Sequence, residues 1–302
     1  MPELPEVETV KQALVPVVTG QVIRTLRLAR PDLRWPMPKG LSDKVEGREM
    51  GMPYRRGKYI LLPVKNAGTL LIHLGMSGAI RIHSTQPDFG THDHVAMQMS
   101  SGNWWVFRDP RRFGHLDFIA EEGMSDAPDA LSSSVSPDTQ ADALASADQI
   151  DRIDTHWLLA GMGPEPLSNH FNALYLSEAA RTRSMPIKTF LLDQKIVAGI
   201  GNIYACEALF RAGISPKRQA RTVAGKRAEK LVPAIQSVLQ DAIAQGGTSL
   251  RDHVQPGGEI GYFVQSLSVY GRAGDSCFTC GDMVKQIRQS GRSTFYCSSC
   301  QR

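Results

Sequence analysis

Long apolar runs are missing from this 302-residue chain. The longest uninterrupted ones are of the Tyr59–Leu62 or Ile196–Ile200 kind, far short of the roughly 20 residues a membrane-crossing helix needs. The N-terminus carries no cationic stretch followed by an apolar one, so no secretory signal is read there. A cytoplasmic protein with no membrane partner is therefore expected. Cysteine is scarce, and four of the five are confined to the last turns of the chain. No repeat of solenoid period recurs. With 42% hydrophobic and 21% charged residues, the composition is that of an ordinary globular protein, which excludes a disordered or collagenous chain. At about 150 residues per domain, the length suggests about two domains.

Positive charge is modest overall but unevenly placed. The chain carries 34 Lys and Arg against 30 Asp and Glu, a net charge of +4. Eight of the acidic residues, Glu121, Glu122, Asp126, Asp129, Asp138, Asp142, Asp148 and Asp151, fall in one stretch without Lys or Arg. The remainder therefore holds 34 basic against 22 acidic residues and stands at +12. A surface of that sign attracts polyanions such as nucleic acid, without specifying a sequence. The acidic stretch is also rich in Ser, Ala and Pro and lacks aromatic residues. It cannot bury enough apolar surface to offset its ordering entropy, and it reads as an insertion or linker.

Upstream of it, short runs rich in Val, Ile, Leu, Tyr and Trp predict strands over Val22–Leu28, Lys58–Val64, Thr69–Leu74, Ala79–His83, His94–Met99, Asn103–Phe107 and His115–Ala120. Close spacing and Gly, Pro, Asp or Ser breaks suggest an antiparallel sandwich or barrel. One helix precedes them over Pro5–Val18, with Val7, Val10, Leu14 and Val17 at helical spacing. Pro16 should weaken its last turn. Downstream the period changes to 3.6, predicting helices over Asn172–Thr182, Pro186–Gln194, Ile203–Ala212 and Val223–Gln245. Gly213 ends the third and Gly246-Gly247 the fourth.

Cys277, Cys280, Cys297 and Cys300 form a C-x2-C-x16-C-x2-C pattern. Two such pairs can present four thiolates tetrahedrally to one Zn²⁺, and four thiolates leave no open position, so the metal's task would be structural. Two disulfides are the rival, disfavoured in a reducing compartment. Cys206 stands alone on a helical pattern and reads as a buried core residue. Arg292 lies at the tip of a turn between the pairs, either as an arm reaching toward phosphate or as a solvated turn residue. Val197–Ile203 places two glycines and Asn202 just before a helix, where backbone N–H groups can approach an anion and Asn202 can cap or donate. No Gly-Lys-Ser/Thr follows, so it is no Walker loop. Asp109-Pro110-Arg111-Arg112-Phe113-Gly114 puts two guanidinium groups and an aromatic on one loop, a mixture suited to clamping phosphate and wedging between bases. Met76, between Gly75 and Ser77, is a second apolar side chain on a glycine-flanked turn, and it is either a wedge or merely exposed.

The chain starts Met-Pro-Glu. Met before Pro is normally removed, which would leave Pro2 with a secondary amine whose reference pKa of about 8 keeps a useful neutral fraction near pH 7. Such an amine can attack an electrophilic carbon, and the resulting iminium is a strong electron sink for elimination. Glu3 can serve as proton donor, and Lys58, after Tyr54-Arg55-Arg56-Gly57, can hold a phosphate or move a proton. Most Met-Pro-Glu starts are simply starts.

Taken together, MPELPEVE at the start, HLGMSG at His73–Gly78, DPRRFG at Asp109–Gly114, GPEPL at Gly163–Leu167, GIGNIYA at Gly199–Ala205, VYGR at Val269–Arg272 and GRSTFYC at Gly291–Cys297 resemble the bacterial formamidopyrimidine-DNA glycosylases of the Fpg/Nei family. These motifs span the chain. The acidic stretch around Met124–Asp151 departs from the pattern.

The resemblance implies an α+β multidomain protein. An N-terminal antiparallel β-sandwich with an N-terminal helix (1–121) is followed by the acidic insertion (122–152), a helical helix-two-turn-helix domain (153–268) and a zinc-finger hairpin (269–302). It implies a monomeric, bifunctional glycosylase and abasic-site lyase acting on damaged double-stranded DNA, with one structural Zn²⁺ on Cys277, Cys280, Cys297 and Cys300. Pro2 would attack the sugar C1′ of a flipped nucleotide, Glu3 act as general acid, Lys58 donate the proton for β-elimination and Arg292 act in δ-elimination. Since an Arg stays protonated, phosphate binding is the securer role for Arg292. DNA contacts carry over to His92, Arg111, Arg183 and Asn202, and gap filling to Met76, Arg111 and Phe113. A loop around Gly257–Tyr262 would cover the flipped base. Leu4-Pro5 favours the purine-specific branch over the endonuclease VIII group, so 8-oxoguanine and formamidopyrimidines are the expected bases. Three rivals predict other outcomes: a noncatalytic DNA binder would not cut, a pyrimidine-lesion glycosylase would prefer thymine glycol, and a zinc-stabilised interaction module would make the basic surface incidental.

Overall fold

The structure is a computed structural model, described here for residues 1–121, 155–248 and 263–302. The acidic insertion (122–152) and the loop around Gly257–Tyr262 fall outside the described residues. The chain forms two compact units that are not contiguous in sequence. One comprises 1–10, 55–59 and 162–302, the other 11–54 and 60–161.

Two four-stranded sheets account for most of the second, strand-rich unit. The first runs β1 (Ile23–Leu28), β6 (Asp93–Met99), β7 (Trp104–Arg108), β5 (Ala79–His83), with every neighbouring pair antiparallel. The second runs β2 (Tyr54–Arg56), β3 (Tyr59–Val64), β4 (Gly68–His73), β8 (His115–Ala120). Trp104–Phe107 and Gly68–Ile72 are buried at every position. Continuous apolar runs of this kind are what a strand covered on both faces requires. A helix over Leu4–Val18 (α1) runs through Pro16, and Thr19 N–H still reaches Val15 O at 3.2 Å. A five-residue helix, α2 (Leu41–Val45), buries Leu41 and Val45.

The helical unit is built from α3 (Ala173–Ala180), α4 (Ile187–Leu191), α5 (Asn202–Arg211) and α6 (Lys226–Ala244). Their shared core includes Leu176, Phe190, Ile203, Tyr204, Leu209, Leu231 and Val238, with Leu4 joining from the first residues of the chain. Asn172 caps α3 by accepting from Tyr175 N at 3.0 Å. Gly213, at φ 68°, ends α5 as its sequence position predicts, while Ile214 N–H returns to Leu209 O at 2.9 Å. Strands β9 (Lys285–Gln289) and β10 (Arg292–Tyr296) form the terminal antiparallel hairpin. Among the described residues, no helix is long and apolar enough to cross a membrane.

Candidate active site and nucleic-acid interface

Glu3 is 3% exposed, and its carboxylate lies at the N-terminus of α5, not on its own helix. It accepts from Ile203 N at 3.0 Å and Tyr204 N at 3.4 Å, two of the donors a helix start leaves unpaired. Gly201 makes this approach possible, because a Cβ there would lie 2.2 Å from the Glu3 carboxyl carbon. The anion that the Gly-x-Gly turn receives thus belongs to the chain itself. Of the two roles expected for Asn202, capping or donating, it takes the second: it is the first residue of α5, and Gly201 holds the cap position without a side-chain bond. The Asn202 amide donates to Ser293 O at 2.9 Å and Tyr270 Oη at 3.4 Å, tying α5 to the hairpin.

Glu6 organises the entry to α1. Its Oε2 accepts from Glu3 N at 2.8 Å, the reciprocal bond of a capping box. Oε1 accepts from Tyr204 Oη, from Thr248 N at 2.7 Å and from Thr248 Oγ1 at 2.9 Å. Pro2, the residue before Glu3, is buried, whereas Met1 is exposed.

Lys58 was expected on a strand and lies instead in the two-residue turn between β2 and β3. Gly57, at φ 57°, supplies the positive φ that such a hairpin turn needs at its first position. The turn is fastened by Glu165 of the GPEPL segment, which accepts from Gly57 N at 2.6 Å, Arg55 Nη1 at 2.7 Å and Arg56 Nη1 at 3.3 Å. Lys58 is 8% exposed. Burial lowers its pKa from the ordinary value; Glu3 opposes that shift, and the charge of Arg292 adds to it. Burial correspondingly raises the pKa of Glu3, against the pull of Lys58. Both groups are thus shifted toward their neutral forms, which keeps the acid able to give a proton and makes the ammonium of Lys58 a readier proton donor. Arg292 begins β10 and is exposed beyond a tight turn in which Ser290 and Gly291 have positive φ.

The strand-rich unit presents a different constellation. Met76 and Phe113 are 39% and 41% exposed, and the Arg111 guanidinium sits 5.0 Å from the Phe113 ring centroid. The two turns carrying them touch backbone to backbone, since a Cβ on Gly75 would lie 2.4 Å from both Gly114 N and the Phe113 carbonyl carbon. His92 is half-buried, and its carbonyl accepts from Asp109 N at 3.0 Å. Arg183 belongs to the helical unit, exposed just after α3.

Cys277, Cys280, Cys297 and Cys300 bring their sulfurs within 4.8 Å of one another. Cys280 and Cys297 are 3.4 Å apart and Cys277 and Cys300 3.8 Å, too far for disulfides at about 2.05 Å. A tetrahedron of thiolates about 2.3 Å from one ion has edges of about 3.8 Å, so the set fits a four-thiolate metal site. Cys206 is buried against this module, in a cluster with Val269, Val284 and Phe295, and burial pushes its thiol up to about 11. Sequence reading passed over Lys188, which is fully buried and donates to Thr294 Oγ1 at 2.7 Å and Ser293 O at 3.1 Å. It also passed over the anchoring role of Glu165. Neither a Lys on an amphipathic helix nor a Glu between two prolines announces so distant a partner.

A buried acid and amine in one unit, a four-cysteine hairpin beside them and an arginine–aromatic turn in the other define an α+β enzyme that acts on nucleic acid. Residues 1–116 match the profile of the formamidopyrimidine-DNA glycosylase N-terminal domain, and 162–254 that of its H2TH domain. The chain belongs to the formamidopyrimidine-DNA glycosylase family. It is 46% identical to the formamidopyrimidine-DNA glycosylase of Dinoroseobacter shibae, over 100% of both chains. Among solved structures, a Lactococcus lactis Fpg mutant in complex with Fapy-dG-containing DNA matches with a TM-score of 0.83 and 29% identity, over 100% of each chain. MutM in complex with carbocyclic 8-oxo-G-containing DNA matches with a TM-score of 0.82 and 30% identity, again over 100% of each.

Proposed function

We propose that this chain is a bifunctional DNA glycosylase and abasic-site lyase of base excision repair, monomeric and cytoplasmic, acting at the nucleoid. It removes 8-oxoguanine and formamidopyrimidines from duplex DNA. The observation that carries this reading is the Glu3 carboxylate, buried at the α5 N-terminus, adjacent in sequence to Pro2 and electrostatically coupled to Lys58. With Met1 removed, the neutral Pro2 nitrogen attacks C1′ of the extruded nucleotide. The C1′–base bond breaks, and its electron pair leaves with the base. Glu3, held protonatable by burial, supplies a proton as general acid. Having lost its own proton, the Pro2 nitrogen then opens the C1′–O4′ bond with its lone pair, O4′ taking a proton; the iminium so formed acidifies the C2′ proton, and loss of that proton expels the 3′ phosphate. Lys58 serves proton transfer in this β-elimination. Arg292 binds the phosphate that leaves in the δ step.

His92, Arg111, Asn202 and Arg183 hold the DNA backbone, and Met76, Arg111 and Phe113 fill the space the extruded base vacates. Extrusion costs a few kcal/mol, least at weakened pairs, so these residues share in lesion discrimination. The four cysteines hold a structural Zn²⁺, which cross-links the hairpin that carries Arg292. The division into a catalytic sandwich (1–121), an acidic insertion (122–152), a helical DNA-binding region (153–268) and a zinc finger (269–302) belongs to the same reading. Borohydride added during reaction with an 8-oxoguanine duplex is expected to trap a covalent protein–DNA adduct, and Pro2→Gly to lose it. Strand cleavage at wild-type speed with no trappable adduct would overturn the proposal.

A further inference from the structure

Asp109 opens the DPRRFG segment and is completely buried, yet its charge is not directed at the arginines beside it. Its Oδ1 accepts from Ser77 Oγ at 2.7 Å and from Arg111 N at 3.3 Å, and its Oδ2 from Gly114 N at 2.7 Å. All three donors are neutral, and they come from both of the turns that expose Met76 and Phe113. The main chain of Asp109 adds two more ties. Its N–H donates to His92 O at 3.0 Å, and its carbonyl lies 2.8 Å from His94 Nε2. Asp109 therefore joins three segments, two through its carboxylate and the third through its main chain, each carrying a side chain proposed to face the DNA. The glycines allow nothing bulkier, since a Cβ on Gly114 would lie 2.9 Å from Oδ2 and 2.5 Å from the Phe107 ring. Arg112 adopts φ 57°, a conformation disfavoured for a side-chain-bearing residue, with its N–H on Asp109 O at 3.2 Å. The bonds around Asp109 hold that turn in place.

We propose that Asp109 is a positioning residue for base extrusion, its buried carboxylate fastening the Met76 turn to the Arg111–Phe113 turn so that both enter the duplex as one rigid wedge. The inference rests on the reading of Met76, Arg111 and Phe113 as gap-filling residues. A wedge ordered before it meets DNA loses little conformational freedom on insertion, so its rigidity is expressed in the rate of extrusion. Because the donors are backbone N–H groups and a hydroxyl, the guanidinium groups of Arg111 and Arg112 stay available to phosphate. Asp109 touches no reacting atom, and the bond chemistry belongs to the other unit.

The test compares Asp109→Asn and Ser77→Ala with the wild type in the full-length, metal-loaded protein. In Asp109→Asn one carboxylate acceptor becomes a donor facing another donor, and single-turnover excision of 8-oxoguanine from a duplex should fall about 30-fold or more; Ser77→Ala removes one bond and should cost about fivefold. Fluorescence of a 2-aminopurine placed beside the lesion, which rises on extrusion, should slow by the same factors. Elimination at an abasic site in a single-stranded oligonucleotide, where there is no paired base to extrude, should stay within about twofold of wild type. Ser77→Ala decides the matter if Asp109→Asn does not fold. Wild-type extrusion rates in both variants, or single-stranded elimination falling as far as duplex excision in Ser77→Ala, would overturn the inference. Absence of a borohydride adduct in the wild type itself would instead overturn the proposed activity, so the two failures are told apart.

Discussion

Gly201 has no freedom to carry a side chain, because the Glu3 carboxylate occupies the space a Cβ would need. Gly201→Ala should displace Glu3 from the α5 N-terminus and lower 8-oxoguanine excision by about a hundredfold, since charge-assisted bonds at such a site are worth about 1.5–3 kcal/mol. Thermal melting and single-turnover excision, measured together, check this; an unchanged excision rate would show that Glu3 needs no such seat. The pH behaviour of Lys58 is set by its burial and by the charges of Glu3, Arg292 and Glu6. As a proton donor it works while protonated, so β-elimination should fall as pH rises through its pKa, which burial holds below the ordinary 10.5. Arg292→Gln removes a repelling charge and should move that alkaline limb to higher pH. Glu3→Gln removes an attracting charge and should move it lower. Rates at a preformed abasic site across the alkaline range decide this, and a limb that neither substitution moves would contradict the coupling. That Pro2, Glu3 and Lys58 are candidates was legible in the sequence through the family resemblance, since most Met-Pro-Glu starts are simply starts. Their shared burial was not, because the contacts reach some two hundred positions along the chain, from Glu3 to Ile203.

At the scale of elements, legibility followed length and apolar continuity. The runs forming β4, β6, β7 and the long helix α6 announce themselves, since the strands are continuous apolar runs and the helix buries a stripe that a 3.6-residue period detects. The strand β2 does not, because Tyr-Arg-Arg has no apolar alternation and owes its place to Glu165, well over a hundred positions downstream along the chain from Arg55. Helix α2 is a five-residue element with only two buried side chains, too short for a helical period to register. The terminal hairpin was legible through its cysteines, whose spacing is itself a geometric statement. β9 is largely exposed whereas Thr294–Tyr296 of β10 are buried, so a metal on the four cysteines would cross-link a hairpin that is packed through β10 alone. Removing the metal with a chelator should abolish duplex binding while the strand-rich unit still melts at its original temperature. Binding by gel shift and melting by circular dichroism measure the two separately. Simultaneous collapse of both would assign the metal a global role.

Over the whole molecule, the chain crosses between its compact units several times. Residues 1–10 and 55–59 belong with 162–302, so Pro2, Glu3, Lys58 and Arg292, spread from one end of the sequence to the other, lie in one unit. A linear reading divides the chain at the acidic stretch and cannot see this. The ties that enforce it are polar contacts such as Glu165 to Gly57 and Glu3 to Ile203, which leave no trace in hydrophobic periodicity. The excess of positive charge outside residues 121–151 was legible from where the charges fall along the chain, and it suits a polyanionic partner without deciding for one.

The central claim is that the carbon–nitrogen bond to deoxyribose forms at Pro2. Its most direct test is to trap the wild-type protein on an 8-oxoguanine duplex with borohydride, digest the adduct and locate the modified peptide by mass spectrometry. The sugar remnant is expected on the nitrogen of Pro2, with Met1 absent. A remnant on Lys58, Lys188 or any other lysine would contradict it.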